Sequence, residues 1–262
     1  MFDERRKLNW RLGVRLFIVA AIAFGLKFFY SNANVDQLRW VLGPTAWIVE
    51  LVTGKSFAYE AHVGYMSSDH TFLIADSCSG MNFLITAFLM LSVLSIWQAS
   101  AGEIGLARIL TSLVAAYITT LAANSVRIST AVLLQDSLFQ LEWLDPEEMH
   151  RVEGIVIYFG FLLILYVLVD RVSSNRNNRP RSRHNALRRL VLPLTVYYAF
   201  TLGIPAVNGA FSQGGRFVEH AVFVLLIPAI LAVSLIVVQG VFRGLFAGVA
   251  NRPQSSGQIH RF

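Results

Sequence analysis

The sequence predicts an all-α, multi-pass transmembrane helical bundle of about six spans, with a short interfacial helix and a small extracytoplasmic hairpin. Three observations carry this prediction. Of 262 residues, 55% are apolar and only 15% charged, where soluble domains carry about a quarter charged residues. Mean hydropathy is +0.55. The apolar residues also gather into runs near the length of about 20 that a helix needs to cross a hydrocarbon core about 30 Å thick. This composition excludes a soluble globular enzyme and intrinsic disorder, and a single cysteine excludes a disulfide scaffold. The net charge of +6 comes without a basic stripe interleaved with aromatics, so it reads as basic cytoplasmic loops and not as a nucleic-acid surface.

The elements follow in order. Residues 1–35 hold a basic cytoplasmic segment and the first span, Leu12–Tyr30. Basic residues before an apolar run also begin a signal peptide. Here the run is long and Ser31-Asn32-Ala33 is a poor cleavage site, so the segment is read as an uncleaved anchor. Residues 36–170 form the expected core. Within it, Leu38–Val52 is apolar but short and carries Pro44, which suggests an interfacial or re-entrant helix. Ser56–Ala75 alternates loosely and is rich in Tyr, Phe, His and Val, as a hairpin is. Three spans follow: Met81–Ala99, Ile104–Asn124 and Val152–Val169. Arg108, near the start of the second of these, is placed to snorkel to the interface. Residues 171–189 form a basic cytoplasmic linker, and 190–262 hold the spans Leu190–Val207 and His220–Phe242 and a tail.

Charge decides the number of crossings. With six spans and a cytoplasmic N-terminus, fifteen Lys and Arg fall inside and five outside. If Leu38–Val52 also crossed, the balance would drop to eleven against nine. The positive-inside rule therefore favours six spans with both termini in the cytoplasm.

That topology brings three residues to the outer surface on consecutive helices. Cys78 precedes the second span, Arg127 follows the outer end of the third, and His150 precedes the fourth. Asp76 and Ser77 are expected to cap a helix with Cys78 in its first turn, where the helix dipole favours a thiolate. On composition alone Cys78 also fits an inert packing residue. Arg127 follows Asn124 by three residues and so shares its helix face. A guanidinium there suits a developing oxyanion, or equally a lipid phosphate. Asn124 is a polar amide below the surface and calls for a partner. His150 lies in a helix start marked by Asp145, Pro146 and Glu148, with Glu153 and Gly154 following. It is placed to take a proton from Cys78 and return it to a leaving amine, although taken alone it also fits an interfacial histidine. Ser79 is the other nucleophile nearby and is expected to support the turn. His62, Asp69 and His70 lack metal-ligand spacing, so no metal and no cofactor is expected.

Taken together, these residues resemble the exosortase/archaeosortase family. The resemblance rests on Cys78-Ser79-Gly80 opening a membrane helix, Asn124-x-x-Arg127 ending the next, and His150-x-x-x-Gly154 opening a third. The stretch Ser77 to Leu84 is similar to the exosortase K branch. The resemblance covers roughly Asp36 to Asp170, and it implies a membrane cysteine protease or transpeptidase. Its expected partners are exported proteins with a C-terminal motif, a transmembrane helix and a basic tail, often of the PEP-CTERM type, together with membrane lipid. It also implies a bacterial inner-membrane location with the active site facing the periplasm. Carried over by residue, Cys78 is the nucleophile, His150 the acid/base and Arg127 the electrostatic stabiliser, while Asn124 and Ser79 match motif positions. Where many members continue Cys-Ser-Gly with a bulky and a basic residue, this chain has Met81-Asn82-Phe83. That departure bears on the substrate motif and not on the chemistry.

Two rivals make contrary predictions. A transporter or assembly subunit without catalysis calls for midplane charges and symmetric broken helices. The midplanes here are nearly free of charge, although Pro193, Gly203, Pro205 and Pro228 interrupt the last two spans. A membrane protease using Ser79 would be told apart by substituting Ser79 and Cys78 separately. The oligomeric state is not legible in the sequence.

Overall fold

The computed structural model describes residues 2–98, 106–136, 146–176, 186–207 and 215–250. Helices form on the apolar runs: α1 (Phe2–Asn32), α3 (Met81–Gln98), α4 (Leu106–Asp136), α5 (Pro146–Arg176) and α8 (Gly215–Ala250). Each contains a stretch long and apolar enough to cross a membrane: Trp10–Asn32, Asp76–Ile96 (reaching back over the turn before α3), Leu106–Leu134, Arg151–Ser173 and Val218–Val237. The protein is an all-α multi-pass membrane protein.

The expected span over Leu190–Val207 is helical but broken. It consists of α6 (Ala186–Tyr198), a π-helical turn (Ala199–Gly203) and α7 (Ile204–Val207). Its apolar part, Leu190–Ala206, is shorter than the five spans. Pro193 lies inside α6 and Pro205 inside α7. Neither can donate to the helical ladder, and the backbone widens between them.

Lipid offers no hydrophobic drive for helices to associate, so the bundle is held by close packing and buried polar groups. The central helix is α3, which packs against α1, α4, α5 and α6. Within its span 72% of residues are buried, against 11% for α1 and 17% for α8, which face lipid. Phe83, Ile85, Phe88, Met90 and Leu91 fill the middle. Buried Thr86 and Ser92 on α3, and Ser112, Thr120 and Ser125 on α4, are short enough to let the backbones approach.

The expected interfacial helix is α2 (Arg39–Thr53). Its 15 residues span about 22 Å at 1.5 Å each, less than the hydrocarbon core. Val41, Leu42, Ala46 and Val49 are buried on one face, while Trp40, Trp47, Leu51 and Val52 are exposed on the other. Pro44 has no N–H for the carbonyl of Trp40, one turn back. Tyr117 of α4 supplies the missing donor: its hydroxyl bonds to the Trp40 carbonyl at 2.7 Å, with the two rings stacked.

The expected hairpin is a three-stranded antiparallel sheet of β1 (Phe57–Glu60), β2 (Gly64–Ser67) and β3 (Leu73–Ile74). Tyr59 pairs with Tyr65, which in turn pairs with Ile74. Asp36, in the turn between α1 and α2, latches the sheet to the bundle. It accepts the Tyr59 hydroxyl at 2.5 Å and the His62 N–H at 2.9 Å, and His62 Nδ1 lies 2.6 Å away. The Tyr59 hydroxyl and the His62 amide hold the Asp36 carboxyl below its ordinary range, and the carboxylate in turn pushes the Tyr59 phenol up.

Candidate active site

The sheet leads into a short 3₁₀ turn, Asp76–Cys78. Within it the Cys78 N–H bonds to the Ala75 carbonyl and the Ser79 N–H to the Asp76 carbonyl, both at 3.0 Å. Asp76 Oδ1 accepts the Ser77 N–H at 2.7 Å. Gly80 then turns to φ +68° and offers its carbonyl to the Leu84 N–H, so Gly80 is where α3 begins. This corrects the expectation that Asp76 and Ser77 cap α3. Cys78 sits ahead of the helix, on a turn of its own. The cause is α4: a Cβ on residue 80 would lie 3.1 Å from Asn124 Cγ and 3.3 Å from Thr120 Cγ2. Glycine both tolerates the left-handed backbone and makes room. Ser79 is fully buried, and its hydroxyl has no hydrogen-bond partner among the described residues. It supports the turn through its backbone.

From Cys78 a line of hydrogen bonds crosses three helices. Asn124 Nδ2, on α4, donates to the Cys78 carbonyl at 2.5 Å. Tyr158, on α5, donates its hydroxyl to Asn124 Oδ1 at 2.8 Å. Arg127, one turn along α4 from Asn124, donates Nη1 to the Tyr158 oxygen at 3.2 Å and lies over its ring. Phe83 of α3 stacks on the Tyr158 ring, with the two ring centres 4.9 Å apart. Asn124 is wholly buried, and both ends of its amide are engaged. A Cβ on Gly154 would lie 3.3 Å from Arg127 Nε, so this glycine makes the space in which the guanidinium sits. Cys78 and Glu153 are within electrostatic range of Arg127.

The structure thus brings Cys78, Asn124 and Arg127 together and adds Tyr158, which sequence reasoning missed. A signal was available. Tyr158 follows Gly154 by four residues and shares its face, and a tyrosine hydroxyl within a span needs a partner. His150 lies on α5 one turn before Gly154. Its side chain falls outside the described residues, as does Asp145, its expected cap.

A cavity of about 400 Å³ opens beside this network. Ser77 and Gly80, flanking half-buried Cys78, line it together with Asn82, Arg127, Gly154 and Tyr158. Its far wall comes from Tyr197, Phe200 and Thr201, at and beside the π turn, and from His220 of α8. Arg151, also lining, bonds Glu219 across α5 and α8 at 3.0 Å. The last helices therefore close the site, which nothing in their sequence announced. Along α4 the site lies about 28 Å from Arg108, nineteen residues away at 1.5 Å each, so the two arginines bracket one hydrocarbon thickness. Among the described residues no three His, Cys, Asp or Glu side chains gather to hold a metal.

The family model for transmembrane exosortases (Exosortase_EpsH) matches residues 7–168. The chain belongs to the transmembrane exosortase family. The match spans α1 into α5 and includes Cys78, Asn124, Arg127, His150 and Tyr158. It identifies the family and not the K branch. The wall that α6, the π turn and α8 add to this exosortase lies beyond the matched segment. No curated protein and no solved structure matches the chain.

Proposed function

We propose that this exosortase is a membrane cysteine protease or transpeptidase that removes C-terminal sorting signals, of the PEP-CTERM kind, from exported proteins. It would act at the periplasmic face of a bacterial inner membrane. The observation that carries the reading is the hydrogen-bonded line from the Cys78 backbone through Asn124 and Tyr158 to Arg127. Such a line fixes a nucleophile-bearing turn relative to a permanent cation, as acyl transfer requires.

In this reading the substrate's membrane helix lies against the bundle and its scissile peptide enters the cavity. The Cys78 thiol gives its proton to His150. The sulfur attacks the carbonyl carbon and forms the C–S bond, while the carbonyl π pair moves onto oxygen beside Arg127. Collapse of that oxyanion breaks the C–N bond, and the imidazolium proton leaves on the amine of the departing tail. The product is a thioester on Cys78. Water or an acceptor amine then attacks it and restores the thiol. The second reading, a transporter, keeps one observation in its favour: the helix over 186–207 is broken, as in transporters.

The test compares wild type with Cys78→Ala in the native host and follows the C-termini of exported membrane-anchored proteins by mass spectrometry. A set of proteins should keep hydrophobic, basic-ended tails only in the variant. Unchanged C-termini with normal accumulation of the variant would overturn the enzyme reading in favour of transport.

A further inference from the structure

Lys27 is an ionisable residue inside the first span, Trp10–Asn32. Such residues are costly in lipid and are kept for a function or hidden by a partner. The ordinary outcome five residues from a helix end is snorkelling, with the ammonium carried out to the headgroups. Lys27 does something else. Its Nζ turns inward to α3 and donates to Asn82 Oδ1 at 3.0 Å, with the ammonium 5.3 Å from the centre of the Tyr30 ring. Both partners are neutral, and among the described residues no carboxylate pairs with it. Arg151, which also lines the cavity, is already matched by Glu219.

The partners of Lys27 mark where its missing counter-charge belongs. Asn82 and Tyr30 both line the cavity, whose lining contains no Asp or Glu among the described residues. Asn82 follows the Asp76–Cys78 turn by four residues in the first turn of α3. An anion resting against Lys27 on the side of Asn82 and Tyr30 would therefore lie at the cavity, whose lining also takes in Ser77 and Gly80 on either side of Cys78. A Lys held by one amide keeps two further N–H donors free for a carboxylate.

We infer that Lys27, seated on Asn82, is a substrate-binding residue: it takes the carboxylate of an acidic side chain in the peptide segment that enters the cavity. The inference rests on the proteolytic reading above. It also explains why a cation is tolerated within the first span, since the substrate completes an ion pair that no described carboxylate supplies.

The test uses full-length protein in the native host and a substrate found by the Cys78→Ala comparison. Lys27→Met keeps the stem and removes the charge; it should lower the processing rate about tenfold or more, as loss of a charge-assisted bond does, while Lys27→Arg keeps most of it. The decisive arm pairs Lys27→Glu with a substrate whose acidic residue near the cut is changed to Lys. Processing should return for that pair and for neither change alone. Wild-type processing by Lys27→Met would overturn the subsite. So would an equal loss on the native substrate and on one whose acid is changed to Gln, which would assign Lys27 to lipid phosphate or packing. If no C-terminus depends on Cys78, the proteolytic reading falls and the subsite falls with it. If tails depend on Cys78 but not on the charge at residue 27, only the subsite falls.

Discussion

The hydroxyl of Tyr158 does two things at once: it donates to Asn124 and accepts from Arg127. Tyr158→Phe keeps the ring stacked on Phe83 but leaves a buried amide oxygen and a guanidinium N–H without this partner. Such losses cost ~1–3 kcal/mol each, so processing should slow by about tenfold to a hundredfold with little change in protein level. Near-normal turnover would show that the line does not position Cys78. Arg127→Lys should fare no better than Arg127→Ala, because an ammonium cannot both reach Tyr158 and face the cavity as a planar fork does. Gly154→Ala places a methyl 3.3 Å from Arg127 Nε and should displace the guanidinium, which an unchanged rate would refute. Ser79→Ala should be silent, since that hydroxyl is fully buried and has no hydrogen-bond partner among the described residues, whereas Cys78 is half-buried; loss of activity there with Cys78→Ala active would move the nucleophile to Ser79.

At the scale of elements, α2 is pinned by an exchange between a proline and a tyrosine. Pro44 frees the Trp40 carbonyl and Tyr117 takes it. Tyr117→Phe should lower the thermal midpoint, with a cost of ~1 kcal/mol or more for the orphaned carbonyl. Adding Pro44→Ala restores a backbone donor and should recover much of that loss. A double variant no more stable than the single would show that the carbonyl had found another partner. The sheet has its own latch at Asp36. The Asp36 carboxyl is lowered in the folded state, so its stabilisation is full above the ordinary value of about 4 and is lost as pH falls through the folded value. The Tyr59 phenol is raised, so its share is full below about 10 and is lost at higher pH. Hydrogen exchange in β1 and β2 should therefore show its strongest protection between those limits, and Asp36→Asn should flatten the acid side of the profile.

For the whole molecule, the fifteen-to-five charge asymmetry predicts that the sheet faces outward. Cys78 is the single cysteine, so Cys78→Ala combined with Ser68→Cys carries one thiol, on the exposed tip beyond β2. A membrane-impermeant maleimide should label it in spheroplasts without permeabilisation. Labelling only after lysis would invert the molecule and place the cavity in the cytoplasm. The cavity itself belongs to this scale, because its walls come from α1, α3, α4, α5, the π turn and α8 together.

The sequence alone determined the membrane class and most of the spans, because lipid imposes length and polarity on every crossing segment, and it pointed to the short helix and to a hairpin, to which the structure adds a third strand. It also placed Cys78, Asn124 and Arg127 at one end of the bundle, since chemistry-bearing residues stand out against apolar runs. Only the tertiary structure decided which of them touch. The bonds that build the site join residues 34, 46 and 55 positions apart, and no helical period encodes a pairing between helices. Tyr158 reads as an ordinary aromatic until Asn124 lies beside it. Gly80 reads as part of a motif until α4 is seen to fill the space of its missing Cβ. Lys27 reads as a snorkelling lysine until α3 supplies the amide that turns it inward. Each depends on packing between segments whose own sequences are merely apolar, and apolarity specifies burial without specifying a neighbour.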